Sequence, residues 1–261
     1  MLKERAARAA PEWLPSHLAF LLTGGILLVL VGTLTYASAE VYEAVTEGNG
    51  ISSLDHPAMR AAVDLRGPAL TWLATALTLA GGRLGVPLLA LLAMAAVTWR
   101  LRDATAAVLL VGALTGSLLL TVLGKHLVGR VRPPSSLGLP PFETSPAFPS
   151  GHTMNSMVLA AVVGYLVLLA VSSTVWRVLA LLVCVTFPLL VGLSRVYLGQ
   201  HWLTDVVAGW TVGLAWALSV VVAHRVWLGV RADRTGRSTE EVLPEPVTEP
   251  RGHAPGDRPA G

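Results

Sequence analysis

Long apolar stretches recur along this chain, separated by short polar connections. They run from about His17 to Ala37, Leu84 to Trp99, Ala104 to Gly124, His152 to Val171, Val175 to Leu193 and Trp202 to Ala223. An α-helix needs roughly 20 predominantly apolar residues to cross the hydrocarbon core of a bilayer. The pattern therefore predicts an all-α fold, an integral-membrane bundle of about six transmembrane helices. A further apolar segment, Pro68 to Ala80, is short for a span and reads as an interfacial or re-entrant helix. Four regions follow: 1–38, an N-terminal tail and first span; 39–83, an extracytoplasmic segment carrying the interfacial helix; 84–224, a core; and 225–261, a tail. The tail is rich in Arg, Glu, Pro and Gly, which predicts disorder, because it has too little apolar surface to offset its ordering entropy.

Composition supports this reading. Of the 261 residues, 53% are hydrophobic and only 13% charged, and the mean hydropathy is +0.63. A soluble domain carries about 25% charge. The net charge of +3 is small and the basic residues form no stripe interleaved with aromatics, which argues against a nucleic-acid partner. The single cysteine, Cys184, lies inside an apolar run and reads as a small buried hydrophobe. With the N-terminus inside, Lys3, Arg5, Arg8, Arg100, Arg102, Arg177, Arg225 and Arg231 fall on the inner side. Arg60, Arg66, Arg83, Lys125, Arg130, Arg132 and Arg195 fall on the outer side. The counts are close, but several outer cations belong to a candidate site, and the short inner connections near Arg100 and Arg177 fit the positive-inside rule. Both termini are therefore expected in the cytoplasm of a multi-pass plasma-membrane protein. The N-terminus also has a basic start, an apolar run and Ala37-Ser38-Ala39, as a secretory signal does. The run is long for a signal, which favours a retained span. Gly24-Gly25 and Gly81-Gly82 read as packing or hinge positions rather than phosphate cradles.

Polar residues are scarce, so their clustering is informative. They gather as Lys125 with Arg132-Pro133, as Pro149-Ser150-Gly151-His152, and as Ser194-Arg195 with His201 and Asp205. These lie at the end of the third span, the start of the fourth, the end of the fifth and the start of the sixth, so all fall on one, outer, face. Lys125, Arg132 and Arg195 can neutralise the non-bridging oxygens of a phosphate, arginine with a planar fork. Ser150 suits an N-cap, leaving backbone N–H groups near Gly151 as an anion site. His201 and Asp205 are four apart, on one helix face. The carboxylate can hold one ring nitrogen protonated, leaving the other to attack phosphorus. His152 can protonate the departing oxygen and later activate water. Taken singly, each arginine could be a snorkelling anchor, and the His201–Asp205 pair a surface contact or half a zinc site. Three surrounding cations would repel a metal, and ionisable groups within the membrane are rare and functional by default.

These residues resemble the three signature motifs of the type 2 phosphatidic acid phosphatase superfamily, over roughly Leu84 to Val222. The resemblance implies His201 as nucleophile, His152 as acid/base and Asp205 as its orienting partner. It implies Lys125, Arg132, Ser150, Gly151 and Arg195 as phosphate ligands, with no metal and no cofactor. That superfamily also contains soluble acid phosphatases and vanadium-dependent haloperoxidases, which the hydropathy of this chain argues against. The implied partner is a membrane lipid phosphate: phosphatidic acid, phosphatidylglycerophosphate or undecaprenyl diphosphate, between which the sequence does not choose. Two rival readings are a phosphotransferase with an acceptor other than water, and a catalytically silent lipid-binding or lipid-translocating protein. A binder would need the cations but not His201. Of the remaining polar residues, His126 reads as structural, Glu143 as a solvated loop residue and Trp202 as an interfacial anchor, while Tyr197 could pack or line a head-group pocket.

Overall fold

A computed structural model describes residues 16–240, and every regular element among them is helical. The α-helices are α1 (Ser16–Glu47), α2 (Asp55–Asp64), α3 (Pro68–Ala80), α4 (Gly85–Leu101), α5 (Thr105–Val128), α6 (Gly151–Ala170), α7 (Thr174–Tyr197) and α8 (Leu203–Glu240). Short 3-10 turns occupy Gly50–Leu54 and Ser135–Leu137. Five helices are long and apolar enough to cross a membrane: α1, α5, α6, α7 and α8. Helices α3 and α4 pass that test only together, as a pair bent by 61°. The second span expected from Leu84 is thus the longer arm of a bent pair, and the segment expected to be interfacial or re-entrant is its shorter arm. The bend falls at Gly81-Gly82, as a hinge expects. A β-carbon on Gly82 would lie 3.2 Å from His152 Nε2, so the hinge also brings the backbone close to the second polar cluster.

Helix α6 is the central pillar: 61% of its most apolar window is buried, against none of the corresponding window of α1. Val158, Leu159, Val162 and Leu166 on α6 pack with Val86, Ala90 and Val97 of α4, with Leu109, Leu110 and Ala113 of α5, and with Ala217 of α8. Leu28, Val29, Val108, Val111, Leu182 and Val185 point outward on their helices, where lipid tails would cover them. Close approach of α8 to α6 depends on Gly209 and Gly213, a small-xxx-small pair. A β-carbon at either would come within 2.9 Å of a backbone oxygen, that of Ser150 or of Met154.

Helix α1 runs past Ala39, the end of the signal-like segment, to Glu47, where Gly48 at φ +71° stops it. Its last turns turn Val41 and Ala44 inward, and Val41 packs near Phe148 and Ala208. The chain divides into two units, 1–225 and 226–261. Helix α8 continues to Glu240, beyond the Arg225 at which disorder is expected from composition. The first proline after that point is Pro244, so nothing before it forbids helix. The rest of the expected tail, 241–261, lies outside the described residues.

Candidate active site

His201 sits in the short connection between α7 and α8. The turn that carries it needs Gly199, whose φ is +66° and whose β-carbon would strike the backbone of Leu137. Gln200 N and His201 N donate back to Arg195 O at 3.0 and 3.3 Å, closing the end of α7. Four residues on, Asp205 lies in the first turn of α8. Its Oδ2 accepts from Trp202 N at 2.9 Å, in the manner of a capping box, and lies 3.3 Å from His201 Nδ1. An ionised Asp205 keeps the proton on Nδ1 and turns Nε2 the other way. Nε2 lies 3.2 Å from Arg132 Nη1. Both His201 and Asp205 are fully buried. Burial first, then the Arg195, Arg132 and Lys125 cations, push the pKa of His201 well below 6.5.

The three polar clusters meet around one carboxylate, that of Glu143. Its Oε2 pairs with Arg132 Nη2 at 3.0 Å. Its Oε1 pairs with Arg195 Nη2 at 3.1 Å and lies 3.3 Å from His152 Nδ1. Burial alone would push the Glu143 carboxyl up, but its cationic neighbours, Arg195 foremost, hold it at about 2. The loop bearing Glu143 is clamped by the same cations: Arg132 Nε donates to Ser145 O at 2.6 Å, and Lys125 Nζ donates to Pro146 O. Arg195 is completely buried; its Nη1 donates to Thr78 Oγ1 on α3 at 2.5 Å, while its Nε has no partner among the described residues.

Ser150 stands at the N-cap position of α6, as expected, but its hydroxyl makes no cap hydrogen bond. It accepts instead from Thr153 Oγ1 at 2.9 Å, and its backbone N–H donates to Asp205 O at 3.0 Å. Gly151 and His152 open α6, whose first-turn N–H groups have no partner inside the helix. A cavity of about 830 Å³ opens at Lys125, Glu143, Gly151 and His152 and continues between α4 and α5. Its deeper walls are apolar, with Val86, Leu91, Met94, Leu110 and Leu114 among them. From Lys125 to Leu110 along α5 is about 22 Å at 1.5 Å per residue.

Every site residue expected from the sequence therefore falls in one neighbourhood at one end of the bundle. Sequence reasoning missed Glu143, which is partly buried and paired with two arginines rather than solvated. One signal could have found it: Glu143 is the only acidic residue between Asp103 and Asp205. It also missed Thr78. Trp202 is held by the protein, its Nε1 donating to Val131 O at 3.0 Å and its ring 5.8 Å from the Arg130 guanidinium. Tyr197 packs rather than lining the head-group region: its hydroxyl meets Thr71 Oγ1 at 3.0 Å and accepts from Gly67 N at 3.1 Å, tying α3 to α7.

The sequence model of the PAP2 superfamily matches residues 106–228. Phosphatidylglycerophosphatase B of Bacillus subtilis is 32% identical over 177 residues, covering 67% of this chain and 85% of that protein. Undecaprenyl-diphosphatase of Sulfolobus acidocaldarius is 34% identical over 102 residues, covering 37% of this chain and 45% of that protein. Among solved structures, the transmembrane PAP2-type phosphatidylglycerolphosphate phosphatase from Bacillus subtilis superposes with a TM-score of 0.67 at 24% identity, covering 83% of this chain and 98% of that one. Aquifex aeolicus LpxE gives 0.50 at 21% identity, covering 64% and 94%. At those identities the superpositions speak for the fold alone.

Proposed function

The chain belongs to the PAP2 superfamily, and from that premise we propose that it hydrolyses the phosphate of a membrane lipid through a phosphohistidine on His201. The observation that carries this reading is the seat of the Glu143 carboxylate. An anion is held there by Arg132 and Arg195, with His152 beside it and His201 Nε2 across Arg132. A phosphate group bound in that seat would meet two guanidinium forks, the Lys125 ammonium, the N–H groups at the start of α6 and the unpartnered Arg195 Nε. The apolar cavity leading away between α4 and α5 suits a hydrocarbon chain.

In the first step His201 Nε2 attacks phosphorus and the bond from phosphorus to the lipid oxygen breaks. His152 gives that oxygen its proton. In the second step water attacks the phosphohistidine, the P–N bond breaks, and His152 takes the proton from water. Asp205 keeps the His201 proton on Nδ1 throughout and offsets the positive charge of the phosphorylated ring. The fixed cations balance charge on the equatorial oxygens, a task metal ions perform elsewhere. Among the described residues no group of three or more His, Cys, Asp or Glu side chains could hold a metal ion.

The test is phosphate release by the purified protein from phosphatidic acid, phosphatidylglycerophosphate and undecaprenyl diphosphate. At least one should turn over, with activity undiminished in EDTA and inhibited by orthovanadate. Activity lost in EDTA and restored by magnesium or zinc would overturn the mechanism.

We further propose that the site faces the extracytoplasmic side, with both termini in the cytoplasm. This rests on the basic inner connections and on counting α3 with α4 as one span. Ser136 is exposed in the loop over the site. A Ser136→Cys variant in a Cys184→Ala background should react with an impermeant thiol reagent in intact cells. Labelling only after lysis would reverse the orientation.

A further inference from the structure

Behind Asp205 lies a network that the three motifs do not contain. Arg130 spreads its fork between two buried carboxylates: Nη1 donates to Asp205 Oδ1 and Nη2 to Asp55 Oδ2, both at 2.6 Å. Asp55 is the first residue of α2 and lies outside the region that matches the superfamily. It also accepts from Thr204 N at 2.9 Å and from Thr204 Oγ1 at 2.7 Å, so it caps the start of α8 from another part of the chain. The Asp55 and Asp205 side chains are 4% and 0% exposed, and that of Arg130 is 16% exposed. Charges this buried interact strongly and tolerate no missing partner.

The division of labour on Asp205 is specific. Oδ1 belongs to Arg130, which leaves Oδ2 for Trp202 N and His201 Nδ1. A carboxylate fixed at both oxygens cannot rotate away from the imidazole. Arg130 can fix it only if its own plane is fixed, and Asp55 holds the other arm. We propose that Asp55 and Arg130 are positioning residues for His201: Asp55 sets the Arg130 guanidinium, which holds the Asp205 carboxylate that orients the ring. The inference rests on the reading of His201 as nucleophile. It extends the working site to the segment before α3, so that the matched core would not be catalytically self-sufficient.

The experiment uses the full-length protein in detergent with phosphorus-32 lipid phosphate. Wild type and His201→Ala come first: labelled, acid-labile enzyme in the wild type alone sustains the nucleophile assignment, and its absence from both would remove that assignment and this inference together. Given a labelled wild type, Asp55→Asn is the informative variant, since its amide oxygen can still accept from Thr204 N while the charge and the Oδ2 acceptor shared by Arg130 Nη2 and Thr204 Oγ1 are lost. Rates are expressed per folded molecule from melting curves. Asp55→Asn should slow phosphohistidine formation about tenfold with KM changed less than twofold, as expected for a lost charge-assisted hydrogen bond acting on orientation. Arg130→Lys, a point charge that cannot fork to both carboxylates, should slow it comparably. In an Asp205→Asn background, Asp55→Asn should cost nothing more, because the route to the ring is already cut. Full additivity with Asp205→Asn, an unchanged rate per folded molecule, or a loss confined to KM would reduce Asp55 to a helix cap.

Discussion

His201→Ala is expected to abolish turnover on every substrate, by on the order of 10⁴-fold or more in kcat, because it removes the proposed phosphoryl acceptor. His152→Ala is expected to behave differently. If His152 protonates the leaving oxygen, its loss costs about 10²- to 10⁴-fold where that oxygen leaves poorly, and much less where it leaves well. A simple alkyl phosphate needs the proton; a nitrophenyl phosphate or a diphosphate hardly does. Relative activity of His152→Ala should therefore rise from alkyl to aryl phosphate. Asp205→Asn should fall between the two, since the nucleophile remains but its tautomer is no longer enforced. Acid-labile, base-stable phosphorus-32 labelling measured beside turnover separates the roles. Stoichiometric label in His201→Ala, or equal sensitivity of His152→Ala to all leaving groups, would reverse them. The pH profile gives a further check. As the proposed nucleophile, His201 would attack only when neutral, and its lowered pKa keeps it neutral as pH falls. The limb of kcat/KM that it governs should therefore lie well below pH 6.5. A limb at or above that value that persists in the His152→Ala profile would count against His201 as the neutral nucleophile.

The polar clusters were legible because the background is so apolar. Against long apolar runs, Lys125, Arg132, His152, Arg195, His201 and Asp205 stand out, and simple span parity brings them to one face. Residues that act on the site from a distance left no such trace. Asp55 reaches Thr204 across 149 positions, and Thr78 reaches Arg195 across 117. Neither pairing has a period or a spacing to read. Hydropathy found the segments 68–80 and 84–99 but could not report that a glycine hinge joins them with a 61° bend. N-cap preference put Ser150 in the right place for the wrong bond, since Thr153 claims its hydroxyl. The reach of α8 to Glu240 was missed because composition measures the lack of apolar surface, not the lack of helix breakers.

Glu143 sets up the second large effect. Its carboxylate occupies the cations proposed to hold the substrate phosphate, so on that reading substrate displaces it from Arg132, Arg195 and His152. Held at about 2, the pKa of Glu143 leaves it ionised at any working pH, so protonation does not clear the seat. In Glu143→Gln the competing charge is gone while shape and loop contacts are kept. Hydrogen bonds to charged groups contribute about 1.5–3 kcal/mol each, so loss of one such competitor should tighten orthovanadate binding on the order of 10- to 150-fold. The same change leaves Arg195 and Arg132 partly uncompensated, and a buried charge without its partner is costly. The anion-free variant should therefore melt several degrees lower than the wild type. Saturating orthovanadate should restore more stability to the variant than to the wild type, because a ligand that binds only the folded state stabilises in proportion to the logarithm of its concentration over Kd. Inhibition constants and melting curves, each measured with and without orthovanadate, test both halves. Unchanged inhibition in Glu143→Gln would mean that phosphate binds beside the carboxylate rather than in its place. Weaker inhibition would make Glu143 a partner of the bound anion, through His152, and not its rival.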